Sequence, residues 1–254
     1  MIHIISDIHG AVAALRALVK SDPGTLLILG DLINFIDYRD HTGIVSEVAG
    51  GEFVADVVRL RTAGDFTGAG ELWRNYSRGH EEEYRHRYAT AIAAAYDEIC
   101  EPLDGASGYV TYGNVDNPDV MKRYLPSSMR FVEAERIEIE GEVFGIVGGG
   151  VPTINSPGEI DDRLMSERLA SIGHVDVLCT HVAPAVRPLA ADVVGGRAKG
   201  SVPVREYLER HQPRVHYFGD IHQPQAVSWT IGTTTCVNVG YFRATGRAIA
   251  HYAG

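Results

Sequence analysis

The sequence predicts an α/β protein built on an open, largely parallel sheet, and two features of the 254-residue chain carry that reading. Short, continuously apolar runs recur, as expected of strands buried on both faces, and segments of helical periodicity separate them. Each run also ends in a carboxylate, amide or imidazole. In open parallel sheets ligands collect beyond the carboxyl ends of the strands, so these residues mark one working edge.

The first run, Ile2 to Ile5, delivers Asp7-Ile8-His9-Gly10, and a helical pattern (Val12, Leu15, Leu18, Val19) follows and closes at Ser21-Asp22-Pro23-Gly24. The second, Leu26 to Gly30, ends in Gly30-Asp31. Roughly eighty residues then intervene, far more than an ordinary α/β connection, so the stretch from about 35 to 108 reads as an inserted helical cap. Val45 to Ala63 is a helical pattern interrupted at Gly50-Gly51. Glu71 to Leu103 is a stronger one, with its tyrosines read as packing.

The third run, Tyr109 to Tyr112, leads into Gly113-Asn114-Val115-Asp116, and Asn117-Pro118 caps and starts a short helix. Arg136–Glu140 and Glu142–Val147, joined at Gly141, read as a β-hairpin whose second strand continues the sheet. Ser156-Pro157-Gly158-Glu159 has the form of a capping box for a helix that Gly173 stops. Val175 to Thr180 presents His181. A loop with Arg187, Arg197 and Lys199 follows, suited to closing over an anion, and then a helix capped by Ser201. Val215 to Phe218 presents Asp220 and His222, and Ala226 to Tyr252 reads as the antiparallel edge of a sheet.

The whole chain, 1–254, is read as one domain interrupted by the cap. Absence of a long apolar stretch and of a leader pattern predicts a cytoplasmic protein with no membrane association. Cys100, Cys179 and Cys236, odd in number and widely spaced, suit reduced core thiols. A net charge of -10 argues against a general nucleic-acid surface. It leaves room for a phosphate ligand, because bound divalent ions reverse the local sign.

Asp7, His9, Asp31, Asn114, His181, Asp220 and His222 therefore form a metal-ligand set of oxygen and imidazole donors without thiolates, which suits Mn, Fe, Zn or Mg. Seven donors are too many for one such ion and fit two. Two ions about 3.5–4 Å apart can clamp both oxygens of an in-line displacement.

These motifs, in this order and each after an apolar strand, resemble the calcineurin-like metallophosphoesterase superfamily and its small bacterial and archaeal members. The resemblance implies a four-layer α/β/β/α sandwich of two mixed β-sheets flanked by helices. It also implies two divalent metal ions and hydrolysis of a small phosphate ester by a hydroxide bridging them. By the same resemblance Asp7, His9, Asp31 and His222 hold the first metal; Asp31, Asn114, His181 and Asp220 hold the second. Asn114 and Asp116 are the catalytic candidates in the Gly-Asn motif.

Two departures shape the expected chemistry. The family usually places a histidine that protonates the leaving group where this chain has Val115, and another histidine where it has Asp220. A carboxylate at 220 tilts the second site towards Mn or Mg. It also adds negative charge, so the sequence predicts a preference for diesters or good leaving groups. His80, His86 and Arg197 are candidate substrate contacts or replacement acids. A competing expectation is a degenerate relative that has lost turnover and serves as a protein-interaction scaffold. The β-rich C-terminal region offers an edge for pairing into a homodimer.

Overall fold

A computed structural model describes residues 1–193 and 198–253. In chain order the elements are β1 (Ile2–Ile5), α1 (Val12–Lys20), β2 (Thr25–Ile28), α2 (Ile44–Ala49), α3 (Gly51–Thr62), α4 (Phe66–Ser77), α5 (Glu81–Cys100) and β3 (Ser107–Val110). They continue with α6 (Pro118–Met121), β4 (Met129–Phe131), β5 (Ala134–Ile139), β6 (Glu142–Val147), α7 (Asp162–Ile172), β7 (Val177–Thr180) and α8 (Arg187–Ala190). The last are α9 (Val202–His211), β8 (Val215–Phe218), β9 (Ser228–Ile231), β10 (Thr234–Asn238), α10 (Phe242–Thr245) and β11 (Ile249–His251).

Two mixed sheets result. The first runs β11-β1-β2-β3-β4 and the second β5-β6-β7-β8-β10-β9. β1 to β4 are parallel neighbours and β11 joins antiparallel. In the second sheet β6, β7, β8 and β10 are parallel, with β5 and β9 as antiparallel edges. The hairpin forms at Glu140-Gly141, where both residues have positive φ, but both its strands lie in the second sheet, β6 between β5 and β7, instead of extending the first. The C-terminal stretch likewise supplies an edge to both sheets.

Strand alternation sorts side chains into layers. Ile2, Ile4, Leu27, Leu29, Phe144, Ile146, Val177 and Cys179 meet in one core between the sheets. Ile5, Leu26, Ile28 and Val110 face the opposite way, onto Leu15 of α1 and Tyr96 and Ile99 of α5. Leu178 and Phe218 do the same on the second sheet, against Met165 and Leu169 of α7 and Val204 and Leu208 of α9. The order helix, sheet, sheet, helix is thus set by which strand residues are apolar. Cys100, Cys179 and Cys236 are free and buried.

The segment expected as a cap forms four α-helices and a short 3-10 helix at Glu101–Gly105. Val45, Phe53, Val54 and Val57 make a cluster of their own with Leu72, Trp73 and Tyr76. The stronger pattern is broken at Arg78-Gly79-His80 into α4 and α5. The end of α5 belongs to the outer layer of the first sheet through Tyr96, Ile99 and Cys100. Asp161, not Ser156, caps α7, accepting from the Leu164 N–H at 2.8 Å. Glu159 folds the preceding loop instead, its carboxylate accepting from the N–H groups of Thr153, Ile154 and Asn155 at 2.7 Å each.

Candidate metal centre

The strand tips of both sheets meet at one point, and the backbone bends sharply there. Asp7, His9, Asp31 and Asp220 all have left-handed φ, between 42° and 64°. Few non-glycine residues adopt that region, and Asp and His tolerate it better than most. Such conformations persist where the surroundings impose them, commonly at functional sites. Close approach is also built in: a Cβ on Gly113 would lie 2.1 Å from Asp31 Oδ1, and one on Gly219 would lie 2.5 Å from Asp7 Oδ2.

The histidines are oriented by their outer nitrogens. His181 Nδ1 donates to the Leu29 carbonyl at 3.0 Å and His9 Nδ1 to the Ile33 carbonyl at 3.3 Å, which turns both Nε2 atoms inward. There His9 Nε2 is 3.2 Å from His222 Nε2, 3.6 Å from Asp31 Oδ2 and 3.8 Å from Asp7 Oδ1. His222 Nε2 is 3.3 Å from Asp7 Oδ1, and its ring stacks on Tyr241 at 4.0 Å. His181 Nε2 lies 3.2 Å from Asn114 Oδ1, 3.5 Å from Asp31 Oδ1 and 4.0 Å from Asp220 Oδ1. Asp31 therefore turns one oxygen to each side. Two overlapping groups, Asp7 with His9 and His222, and Asp7 with Asp31 and His181, have donor atoms within 4.8 Å of one another.

These residues fit divalent cations. Buried carboxylates and imidazoles face each other, and Asp7 Oδ1 and Asp220 Oδ2 are buried with no hydrogen-bond partner among the described residues. Burial alone would lower the proton affinity of His9 and His181. The surrounding carboxylates outweigh it and push both pKa values up, Asp7 acting on His9 most directly and Asp31 most strongly on His181. Burial likewise opposes ionisation of Asp7, yet His222 and His9 hold its carboxyl well below the usual range. The cluster thus attracts positive charge whether protons or metal supply it.

Asp116 takes a different place from the catalytic one expected of it. Its Oδ2 accepts from the N–H groups of Asp31 (2.7 Å) and Gly113 (2.9 Å), and Oδ1 from the Leu32 N–H and the Tyr96 hydroxyl (both 3.1 Å). All its capacity is spent tying the Asp31 loop to the Gly113 loop. Burial, then repulsion from Asp31, lifts its pKa to about 6. His80 and His86 do not join the cluster: both are exposed on the cap, His80 at the start of α5 facing Glu83 at 3.3 Å. Arg197 lies outside the described residues.

Lys199 is the further residue of the site. Its ammonium is 3.6 Å from Asp220 Oδ1, and Asp220 holds it above the ordinary lysine range. The backbone N–H of Lys199 donates to the Ala190 carbonyl at 2.9 Å, which fixes the chain there. Basic residues in the loop are a usable signal, and the fold places Lys199 beside Asp220.

Fold and donor set together define a metal-binding α/β sandwich. The chain belongs to the calcineurin-like phosphoesterase family, whose model matches residues 1–224. One solved structure superposes with a TM-score of 0.63 at 16% identity, covering 95% of this chain and 90% of its own. The protein TT1561 of Thermus thermophilus superposes with a TM-score of 0.54 at 13% identity, covering 98% and 96%. No curated protein matches the chain in sequence. Among the described residues no helix is long and apolar enough to cross a membrane.

Proposed function

We propose that the protein hydrolyses a phosphodiester or phosphomonoester with two divalent ions. The first is held by Asp7, His9, Asp31 and His222, the second by Asp31, Asn114, His181 and Asp220. The observation that carries this is the meeting of these side chains, from both sheets, with buried carboxylate oxygens that have no partner among the described residues. Ions bound here would supply Lewis acidity to phosphoryl oxygens and would lower the pKa of bound water from its bulk value. The carbonyls of Leu29 and Ile33 hold the imidazoles in the tautomer that offers Nε2, and Asp116 holds the Asp31 loop in register.

Lys199 alters the expected charge balance. Asp220 adds one negative charge where a histidine would add none, and the ammonium beside it cancels that charge. A dianionic monoester is therefore not disfavoured on this ground. Val115 still supplies no proton, so a preference for good leaving groups remains part of the proposal. So do Mn or Mg at the carboxylate-bearing second site, and a cytoplasmic setting, which the free buried thiols suit.

The test is elemental analysis of the purified protein, followed by Mn²⁺-dependent hydrolysis of bis-p-nitrophenyl phosphate. Close to two ions per chain with turnover is the expected result. Metal binding without turnover on any phosphoester would leave an interaction scaffold as the better reading.

A further inference from the structure

An apolar cavity of about 210 Å³ lies between the helical insertion and the metal centre. Phe35, Trp73 of α4, and Tyr88 and Ile92 of α5 form its outer wall, and Val115 belongs to its inner one. Among the described residues no charged side chain lines it. It is smaller than the roughly 300–1,000 Å³ of pockets that enclose whole drug-sized ligands, so it suits one moiety of a larger molecule.

Three of its lining residues are bonded directly to residues of the metal centre. The Val115 N–H donates to Asp31 Oδ1 at 3.1 Å, the Ile33 carbonyl accepts from His9 Nδ1, and the Ser156 hydroxyl donates to the Asn114 carbonyl. Arg61 of α3 donates to the Thr153 carbonyl at 3.2 Å, fastening the insertion to the loop that contributes the cavity's far side.

Among the described residues, the lining residue Tyr88 carries an unused polar atom. The Tyr88 hydroxyl is buried and bonds to no group among the described residues. Burial pushes its pKa up, so it stays a donor. A buried hydroxyl left unpaired costs about 1–3 kcal/mol, a cost that an acceptor on a bound ligand would remove. The surrounding rings lie 6.0 Å (Trp73) and 6.3 Å (Phe35) from Tyr88, at tilted angles that suit edge and face contacts with another ring.

We infer that this cavity binds an aromatic ring bearing a hydrogen-bond acceptor, as the group esterified to the phosphate at the metal centre. The substrate class is then an aryl or heteroaryl phosphoester. The chemistry agrees with an apolar wall at position 115. As the hydroxide oxygen bonds to phosphorus, the bond from phosphorus to the aryl oxygen breaks. Its electron pair leaves with a phenolate, which takes a proton from solvent, so no acid is needed in the wall. The reaction part rests on the phosphoesterase reading; the binding part does not.

The test therefore has separate arms. Saturation-transfer NMR with p-nitrophenol on the metal-free protein should show ring contact that Ile92→Glu abolishes and Tyr88→Phe weakens at least threefold. With Mn²⁺, Ile92→Glu should lower the ratio of kcat/KM for p-nitrophenyl phosphate over glycerol phosphate at least tenfold, mostly through KM. Should Ile92→Glu fail to fold by circular dichroism, Tyr88→Phe carries both readings. Equal p-nitrophenol binding in wild type and variants, or none in either, overturns the inference. Ring binding lost in the variants, without hydrolysis of any ester, upholds the cavity and removes the phosphoesterase reading.

Discussion

Lys199 and Asp220 form an ion pair, 3.6 Å from ammonium to carboxylate, at the rim of the second ligand group. The pair is neutral as a unit, so removing the lysine exposes one uncompensated negative charge to an incoming phosphate. At roughly 6 Å and an effective dielectric of about 20, one unit charge is worth ~3 kcal/mol. Lys199 is about a third exposed, and screening reduces this to ~1–2 kcal/mol. Lys199→Met should therefore lower kcat/KM for dianionic p-nitrophenyl phosphate about tenfold more than for monoanionic bis-p-nitrophenyl phosphate. Combining it with Asp220→His should restore the ratio. Equal losses on both substrates would show that the lysine does not act through charge.

Asp116 binds three backbone N–H groups and one hydroxyl, two donors on each oxygen. An asparagine there must turn its NH₂ towards one of these pairs, which leaves at least one buried N–H unmatched. Asp116→Asn should cost about 1–3 kcal/mol in urea unfolding. It should also weaken Mn²⁺ binding in calorimetry, because the Asp31 loop loses its anchor. A catalytic carboxylate would behave differently, losing turnover while keeping both stability and metal affinity.

The strand-end residues that gather at the candidate site were legible because their signal is local: an apolar run and the polar residue that ends it are adjacent in sequence, as in Leu26 to Asp31. The four layers came from the family resemblance, because continuously apolar runs such as Leu26 to Leu29 do not say which face meets which layer. What depends on distant partners was not legible. Asp116 meets donors at positions 31, 32 and 96, and no pattern around Asn114 announces them. The start of α7 went to Asp161 because Glu159, which fits a capping box by spacing, is engaged by the loop from Thr153 to Ser156. Lys199 sits in a stretch without periodicity, and its pairing with Asp220 is made by a contact between distant positions.

His216 offers a pH test away from the ligands. It is fully buried, its Nε2 donates to Thr180 Oγ1 at 2.9 Å, and its Nδ1 has no partner among the described residues. Burial lowers its pKa from 6.5 to about 3. The folded state thus binds fewer protons than the unfolded state between those values. Stability from this residue is complete above pH 6.5 and is lost as pH falls towards 3, by at most about 1.4 kcal/mol per pH unit. His216→Phe removes the titrating group, and Thr180 keeps its bond to the Val182 carbonyl. Urea midpoints measured from pH 8 to pH 4 should fall more steeply for the wild type than for the variant. Parallel curves would mean that His216 is already protonated in the fold.

Val115 separates leaving-group chemistry from binding. Its N–H bonds to Asp31 at 3.1 Å whatever side chain it carries, so a histidine there keeps the loop and adds an imidazole next to the phosphate position. General acid assistance contributes about 10²–10⁴-fold where the leaving group needs a proton, and little where it departs as a stable anion. Val115→His should therefore raise kcat on an alkyl ester such as glycerol phosphate by tenfold or more and leave kcat on p-nitrophenyl phosphate within threefold. The imidazole also places a polar group in the apolar wall, so KM for the aryl ester should rise. Steady-state kinetics on the two esters at pH 6 and pH 8 decide the point. The alkyl gain should be larger at pH 6, where more of the imidazole carries a proton, and no gain at either pH would show that position 115 does not reach the departing oxygen.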